Sequence, residues 1–186
     1  MRVNTFVTSD WHLGHRLMDR LRPAGWADLI LSNYRSQVDD RDTVYFLGDM
    51  VMRYGSEGRN WWETIRTLPG RKILVTGNHD KGSIAKLQAL GGFESVWREW
   101  TSYEQSYPEA KGTKLLLSHV PMVITYRDDK FNGWRRRIQA EYDRGGYTAN
   151  LHGHTHAHSS ADPRLINCCV EVNEYALTLM DTEERP

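Results

Sequence analysis

Arg71-Lys72-Ile73-Leu74-Val75-Thr76-Gly77-Asn78-His79-Asp80-Lys81-Gly82-Ser83-Ile84 is the stretch that decides the fold. Arg71 to Val75 reads as a buried strand, which ends in the polar turn Thr76-Gly77-Asn78-His79-Asp80. Ile84, Leu87 and Leu90 then fall on one side of a helix that Gly91-Gly92 terminates. Upstream, the same strand, turn and helix recur. Val3, Phe6 and Val7 lie in a first strand that ends at Ser9-Asp10, and Trp26, Leu29, Ile30, Tyr34 and Val38 follow helical spacing after Pro23. Val44 to Leu47 is a short strand closed by Gly48-Asp49, and Trp61, Trp62, Ile65 and Leu68 make a helix stopped by Pro69-Gly70. Strands alternating with helices predict an α/β fold with parallel pairing in this half.

Downstream the pattern changes. Phe93 to Tyr103, Lys114 to Leu117, Tyr147 to Leu151 and Leu165 to Val172 read as strands with few helices between them. They predict a second, largely antiparallel sheet packed on the first. The longest irregular segment, Pro121 to Gly146, contains Tyr126-Arg127 and Trp134-Arg135-Arg136-Arg137, with one short helix expected over Arg135 to Tyr142. Long loops inside compact domains are often functional. This one reads either as a pocket wall, holding a phosphate or a base by cation and stacking contacts, or as a mixed-charge surface loop.

A chain of 186 residues, 39% hydrophobic and 26% charged, buries a proper core and reads as soluble and globular. Lys+Arg and Asp+Glu both number 24, so there is no electrostatic footprint for broad nucleic-acid or membrane binding. No signal peptide or bilayer-long apolar run is visible, so a cytoplasmic location is expected. Cys168 and Cys169 are adjacent, a spacing that strains a disulfide. They read as strand residues facing opposite sides, with a metal or redox role as the alternative. Oligomeric state is not legible.

The histidines are the functional signal. All 8 lie in or near short polar motifs at strand ends: Asp10-Trp11-His12 with His15, Gly48-Asp49, Gly77-Asn78-His79-Asp80, Ser118-His119 and Gly153-His154-Thr155-His156. Open α/β sheets place their sites over the carboxyl ends of strands. Asp10 and His12, two apart on an extended chain, point to one side, and His154 and His156 have the same spacing. Asp49 supplies a carboxylate able to bridge, Asn78 an amide oxygen and His119 another imidazole. Nitrogen and oxygen ligands in this number suit two neighbouring divalent metals.

This ordered set resembles the calcineurin-like metallophosphoesterase superfamily over Asp10 to His156. Ser9 to His15, with Asp42-Thr43-Val44 before Leu47-Gly48-Asp49, is similar to a compact bacterial and phage-type subgroup. The resemblance implies one metallophosphoesterase domain over residues 1–186, built of two packed mixed β-sheets flanked by helices in four layers, α/β/β/α. It implies one metal on Asp10, His12, Asp49 and His156 and a second on Asp49, Asn78, His119 and His154. Mn is the usual activator, with Fe, Zn or Ni as alternatives. It further implies phosphoester hydrolysis by a metal-bridging hydroxide, with His79 contacting the phosphate or protonating the leaving group.

One departure matters. Phosphoprotein phosphatases of the superfamily carry Gly-Asp-x-x-Asp-Arg, whose second Asp orients the catalytic histidine; here that position is Met52, followed by Arg53. Arg53 contacts phosphate or is a solvated loop arginine. His15 serves the site or packs ordinarily, while His152 reads as structural and His158 as solvated. The resulting expectation is a metal-dependent phosphodiesterase on a small nucleotide-like phosphoester, with a nuclease or phosphomonoesterase as alternatives. A non-catalytic module on the same fold fits least, because the motif set is complete.

Overall fold

The computed structural model describes residues 2–52, 55–105, 112–122 and 130–184. Strands β1 (Arg2–Thr8), β2 (Thr43–Phe46), β3 (Arg71–Val75) and β4 (Ser95–Trp97) pair in parallel, and β9 (Thr178–Glu184) adds antiparallel to β1. The first sheet therefore runs β4-β3-β2-β1-β9. A short α1 (Met18–Leu21) and α2 (Trp26–Gln37) link β1 to β2, α3 (Gly55–Arg66) links β2 to β3, and α4 (Ile84–Gly91) links β3 to β4. Ser83 caps α4 by accepting the Lys86 N–H, and Gly92 ends it at φ 64°, the left-handed conformation that glycine adopts readily.

A second sheet runs β5 (Trp100–Glu104), β6 (Lys114–Ser118), β7 (Ala149–His152), β8 (Leu165–Asn167), with α5 (Asn132–Gly145) between β6 and β7. Alternation along the strands divides the core. Phe6, Val44, Phe46 and Leu74 face α2, α3 and α4, whereas Val7, Leu47 and Val75 face Leu115, Leu117 and Leu151 of the second sheet. Leu116 points the other way, onto Ile138 of α5. The layers are thus helices, sheet, sheet, helix, so both sheets are buried on two faces. Among the described residues no helix is long and apolar enough to cross a membrane.

Several expectations need correction. The second sheet is not largely antiparallel: only β5 with β6 is, while β6 with β7 and β7 with β8 are parallel. Leu115-Leu116-Leu117 is an unbroken apolar run, as a doubly buried parallel strand requires, and α5 is the crossover that permits parallel pairing. That helix is longer than Arg135 to Tyr142 and occupies much of the segment taken for a loop. Phe93 to Tyr103 is not one strand but two, β4 and β5, in different sheets. Leu165 to Val172 is a strand only to Asn167, then a 3-10 turn over Val170–Asn173. Cys168 and Cys169 consequently lie outside the strand, and both thiols are free. The polar-looking β9 was not anticipated.

Candidate metal centre

Parallel pairing builds the site. β1, β2 and β3 end together, and so do β6 and β7, so all five motifs leave their strands on one side of the sandwich. The backbone there is unusual. Seven described non-glycine residues have positive φ, and five of them are Asp10 (59°), His12 (51°), Asp49 (56°), His154 (71°) and His156 (48°). Left-handed backbone costs an L-residue roughly 1–2 kcal/mol and concentrates at functional sites. Asp10 and His12 do reach one side, but not along an extended chain as the spacing suggested. A left-handed residue at each of the two positions turns them in, while Trp11 between them is fully buried.

Hydrogen bonds hold this geometry. The Asp10 N–H donates to the Gly48 carbonyl (3.0 Å) and the His12 N–H to the Asp49 carbonyl (2.9 Å), tying the first motif to the second. Asp80 accepts from the N–H groups of Asp49 (2.8 Å), Met50 (3.1 Å) and Gly77 (2.9 Å), tying the second to the third. Burial and the Asp49 charge raise its pKa. Asp10 Oδ2 accepts from Ser9 Oγ (2.6 Å), the His154 N–H (2.8 Å) and the Cys169 thiol (3.2 Å). Close approach here demands glycine: a Cβ on Gly153 would lie 2.0 Å from Ser9 Oγ, and one on Gly77 would lie 2.1 Å from Asp49 Oδ1.

With one oxygen of Asp10 saturated, the other faces inward. Asp10 Oδ1 is buried without a hydrogen-bond partner, as is His12 Nε2. These two atoms are 3.4 Å apart, and His156 Nε2 is 3.9 Å from the same oxygen. Asp49 Oδ2 lies 3.8 Å from His12 Nε2 and 3.5 Å from His119 Nε2, between the two histidines. His119 Nε2 is also 3.0 Å from Asn78 Oδ1. Donor atoms of Asp10, His12 and His156 fall within 4.8 Å of one another, as do those of Asp10, Asp49 and His119. His154 stands beside this set, its ring 5.1 Å from that of His119.

Asp49 and Asn78 present acceptor oxygens to His119. His119 Nδ1 is 2.7 Å from the Leu47 carbonyl, so it must donate there, and a neutral ring then points its Nε2 lone pair at two oxygens. Burial disfavours charge on His119, but Asp49, Asp10 and the Leu47 carbonyl outweigh it and raise its pKa. Burial likewise opposes ionisation of Asp10, but His119, His12 and His156 hold it well below the usual carboxylate range. Lone pairs converging in a dry pocket repel unless a cation sits among them. Ligands about 2.1 Å from one ion lie roughly 3–4 Å from each other, as these atoms do. The residues present fit divalent metal.

His79 is 44% exposed on its side chain, with Nε2 3.9 Å from Asp49 Oδ2 and its ring 5.7 Å from that of His12. Burial, opposed by the Asp49 charge, lowers its pKa. The His15 ring is 5.7 Å from that of His12, and burial and the His12 charge lower its pKa. His152 is buried at the end of β7 and His158 is exposed. Arg53, Tyr126 and Arg127 lie outside the described residues. The rest of their segment does wall the site: the Phe131 ring is 4.6 Å from that of His154, and Trp134 is 6.2 Å from His119. A cleft of about 600 Å³ opens beside His154 and His156, with Met18, Leu21 and Ala157 on its apolar side.

Sequence reasoning missed Arg22, Asp80 and Glu171, which all touch this region, and gave Cys169, which touches it too, a metal or redox role only as the alternative. Only Asp80 had a signal, as the fourth residue of Gly-Asn-His-Asp.

The sequence model of the calcineurin-like phosphoesterase family matches residues 3–158. The Gene 66 protein of Mycobacterium phage L5 is 32% identical over 174 residues, covering 83% of this chain and 78% of the phage protein. An uncharacterized protein of Methanocaldococcus jannaschii is 25% identical, covering 95% of this chain and 86% of the archaeal one. The crystal structure of a protein of unknown function from Aquifex aeolicus superposes with a TM-score of 0.81 at 26% identity, covering 95% of both chains.

Proposed function

The chain belongs to the calcineurin-like phosphoesterase family, and on that premise we propose that it is a two-metal phosphodiesterase acting on a small nucleotide-like substrate. Membership and the Asp/His clusters support a metal-dependent phosphoester hydrolase. The observation that carries the reading further is the convergence of unpartnered donor atoms, on Asp10 and His12, from residues held in left-handed backbone. Strain of this kind persists where the surroundings over-determine it, and here it aims side chains that repel one another without a cation.

In this reading Asp10, His12 and His156 hold one ion, Asn78, His119 and His154 the other, and Asp49 is shared. Two divalent ions would lower the pKa of a water and neutralise charge on the phosphoryl oxygens. Mn²⁺ is the activating ion proposed, since mixed carboxylate, amide and imidazole ligands suit it. His79 Nε2 passes a proton to the leaving oxygen. Met52 provides no carboxylate to orient His79, which favours a diester with a good leaving group over a phosphoprotein. The apolar side of the cleft, formed by Met18, Leu21 and Ala157 beside His154 and His156, suits a flat group such as a nucleobase.

The test is kcat/KM with Mn²⁺ at one pH for bis(p-nitrophenyl) phosphate and cyclic nucleotides against p-nitrophenyl phosphate and a phosphopeptide. Higher values for the diesters are expected. Preference for the phosphopeptide refutes the diesterase assignment, and activity confined to single-stranded DNA replaces it with a nuclease.

A further inference from the structure

Behind the candidate metal centre lies a buried ionic bracket outside every sequence motif. Arg22, 6% exposed, follows α1 and extends its guanidinium under the first motif. Nη1 donates to the Trp11 carbonyl at 2.7 Å and Nη2 to the Asp10 carbonyl at 2.6 Å. Nε donates to Glu171 Oε1 at 3.0 Å, and the guanidinium stacks on Trp26 at 4.7 Å. Glu171 belongs to the 3-10 turn after β8, and its Oε1 lies 2.9 Å from His156 Nδ1. Two residues 149 apart in sequence therefore join the backbone of one proposed ligand to the ring of another.

We propose that Arg22 and Glu171 are positioning residues of the metal centre: Glu171 fixes the proton of His156 on Nδ1 so that Nε2 is left as the metal-facing donor, and Arg22 locks Glu171 to the Asp10-Trp11 turn. The inference rests on the metal-site reading above. An ionised carboxylate only accepts, so a ring nitrogen at hydrogen-bond distance from it must carry the proton. The other nitrogen then presents its lone pair, and here it points towards Asp10 Oδ1, 3.9 Å away. Ligand histidines held by a carboxylate in this way keep their orientation and gain basicity. The His156 ring is further fixed by stacking on His12, with centroids 5.0 Å apart. The Asp10 backbone needs a comparable restraint because its φ is 59°. The two carbonyls that Arg22 grips are those of Asp10 and of the following residue.

The experiment uses the full chain, with Zn²⁺ alone as a diamagnetic probe. Long-range ¹H–¹⁵N spectra of the Zn²⁺-loaded wild type should show His156 protonated on Nδ1 and bound through Nε2; a proton on Nε2 overturns the proposal. Zn²⁺ affinity, measured by chelator competition, should fall roughly 10–100-fold for one of two ions in Glu171→Ala and Arg22→Met, with the other ion retained. Glu171→Gln keeps an acceptor oxygen in place and should retain the Nδ1–H tautomer and most of the affinity. Folded Glu171→Ala that binds both ions as the wild type does, losing only thermal stability, would reduce the bracket to an ordinary buried ion pair. Should the alanine variant not fold, Arg22→Met decides: a folded variant that keeps wild-type affinity for both ions overturns the proposal. A wild type that binds no Zn²⁺ refutes the metal-site reading itself, a separate outcome.

Discussion

Gly153→Ala should disable the site through one methyl group. Gly153 does not rely on a positive φ, so the effect is steric. The added Cβ would meet Ser9 Oγ at 2.0 Å and Asp10 Oδ2 at 2.4 Å, well inside van der Waals contact, so these two side-chain oxygens must each retreat by about 1 Å through separate side-chain rotations. Retreat breaks the Ser9 Oγ and His154 N–H bonds to Asp10 Oδ2, now 2.6 and 2.8 Å. Hydrogen bonds to a charged group contribute about 1.5–3 kcal/mol each, so roughly 3–6 kcal/mol is at stake. For a chain of this size that corresponds to a fall in Tm of roughly 6–24 °C. Gly146→Ala is the control. There a Cβ meets nothing within 4 Å and only the strain of φ +67 remains, about 1–2 kcal/mol. Tm by circular dichroism and bound metal by mass spectrometry read both variants. Gly153→Ala should lose metal as well as stability. If it keeps wild-type metal content and loses no more stability than Gly146→Ala, the steric argument is wrong.

Asp49→Asn should remove nearly all activity while the fold persists. Metal analysis decides its role, since two bound ions with undiminished turnover would rule out a shared carboxylate. His79→Ala should lower kcat by roughly 10²–10⁴-fold yet keep its metal, because its side chain is 44% exposed where those of His12 and His119 are buried. A variant that lost metal, and recovered its rate on reconstitution, would make His79 a ligand. Asp80→Ala removes the acceptor shared by three backbone N–H groups. It should lower both Tm and activity on the order of its lost charged hydrogen bonds, several kcal/mol; unchanged melting by circular dichroism would dismiss the clamp.

The motif residues were legible because each lies at the end of an apolar run, where residue type alone marks it out. The parallel first sheet was legible for the same reason: helical periodicity separates its strands. The second sheet was misread because α5 buries only Arg135 and Ile138 of its described side chains and shows little apolar periodicity, so the crossover passed for a loop. The strand β9, Thr-Leu-Met-Asp-Thr-Glu-Glu, reads as a polar tail until β1 is seen to need an outer partner. Left-handed backbone at aspartate and histidine leaves only a weak mark in sequence: both types favour it over other non-glycine residues, but glycine is its usual sign. Arg22 and Glu171 were invisible because their meaning lies in a contact across the fold, and charged residues ordinarily signal a solvated surface.

The central claim is that phosphoester hydrolysis depends on two ions held by the converging Asp, Asn and His side chains. Chelator-stripped protein titrated with Mn²⁺, with bound metal and bis(p-nitrophenyl) phosphate hydrolysis followed together, tests it directly. The account predicts no hydrolysis in the stripped protein and a rate that rises to a plateau at two ions per chain. Hydrolysis that survives complete stripping, or that is already maximal at one ion, would contradict it.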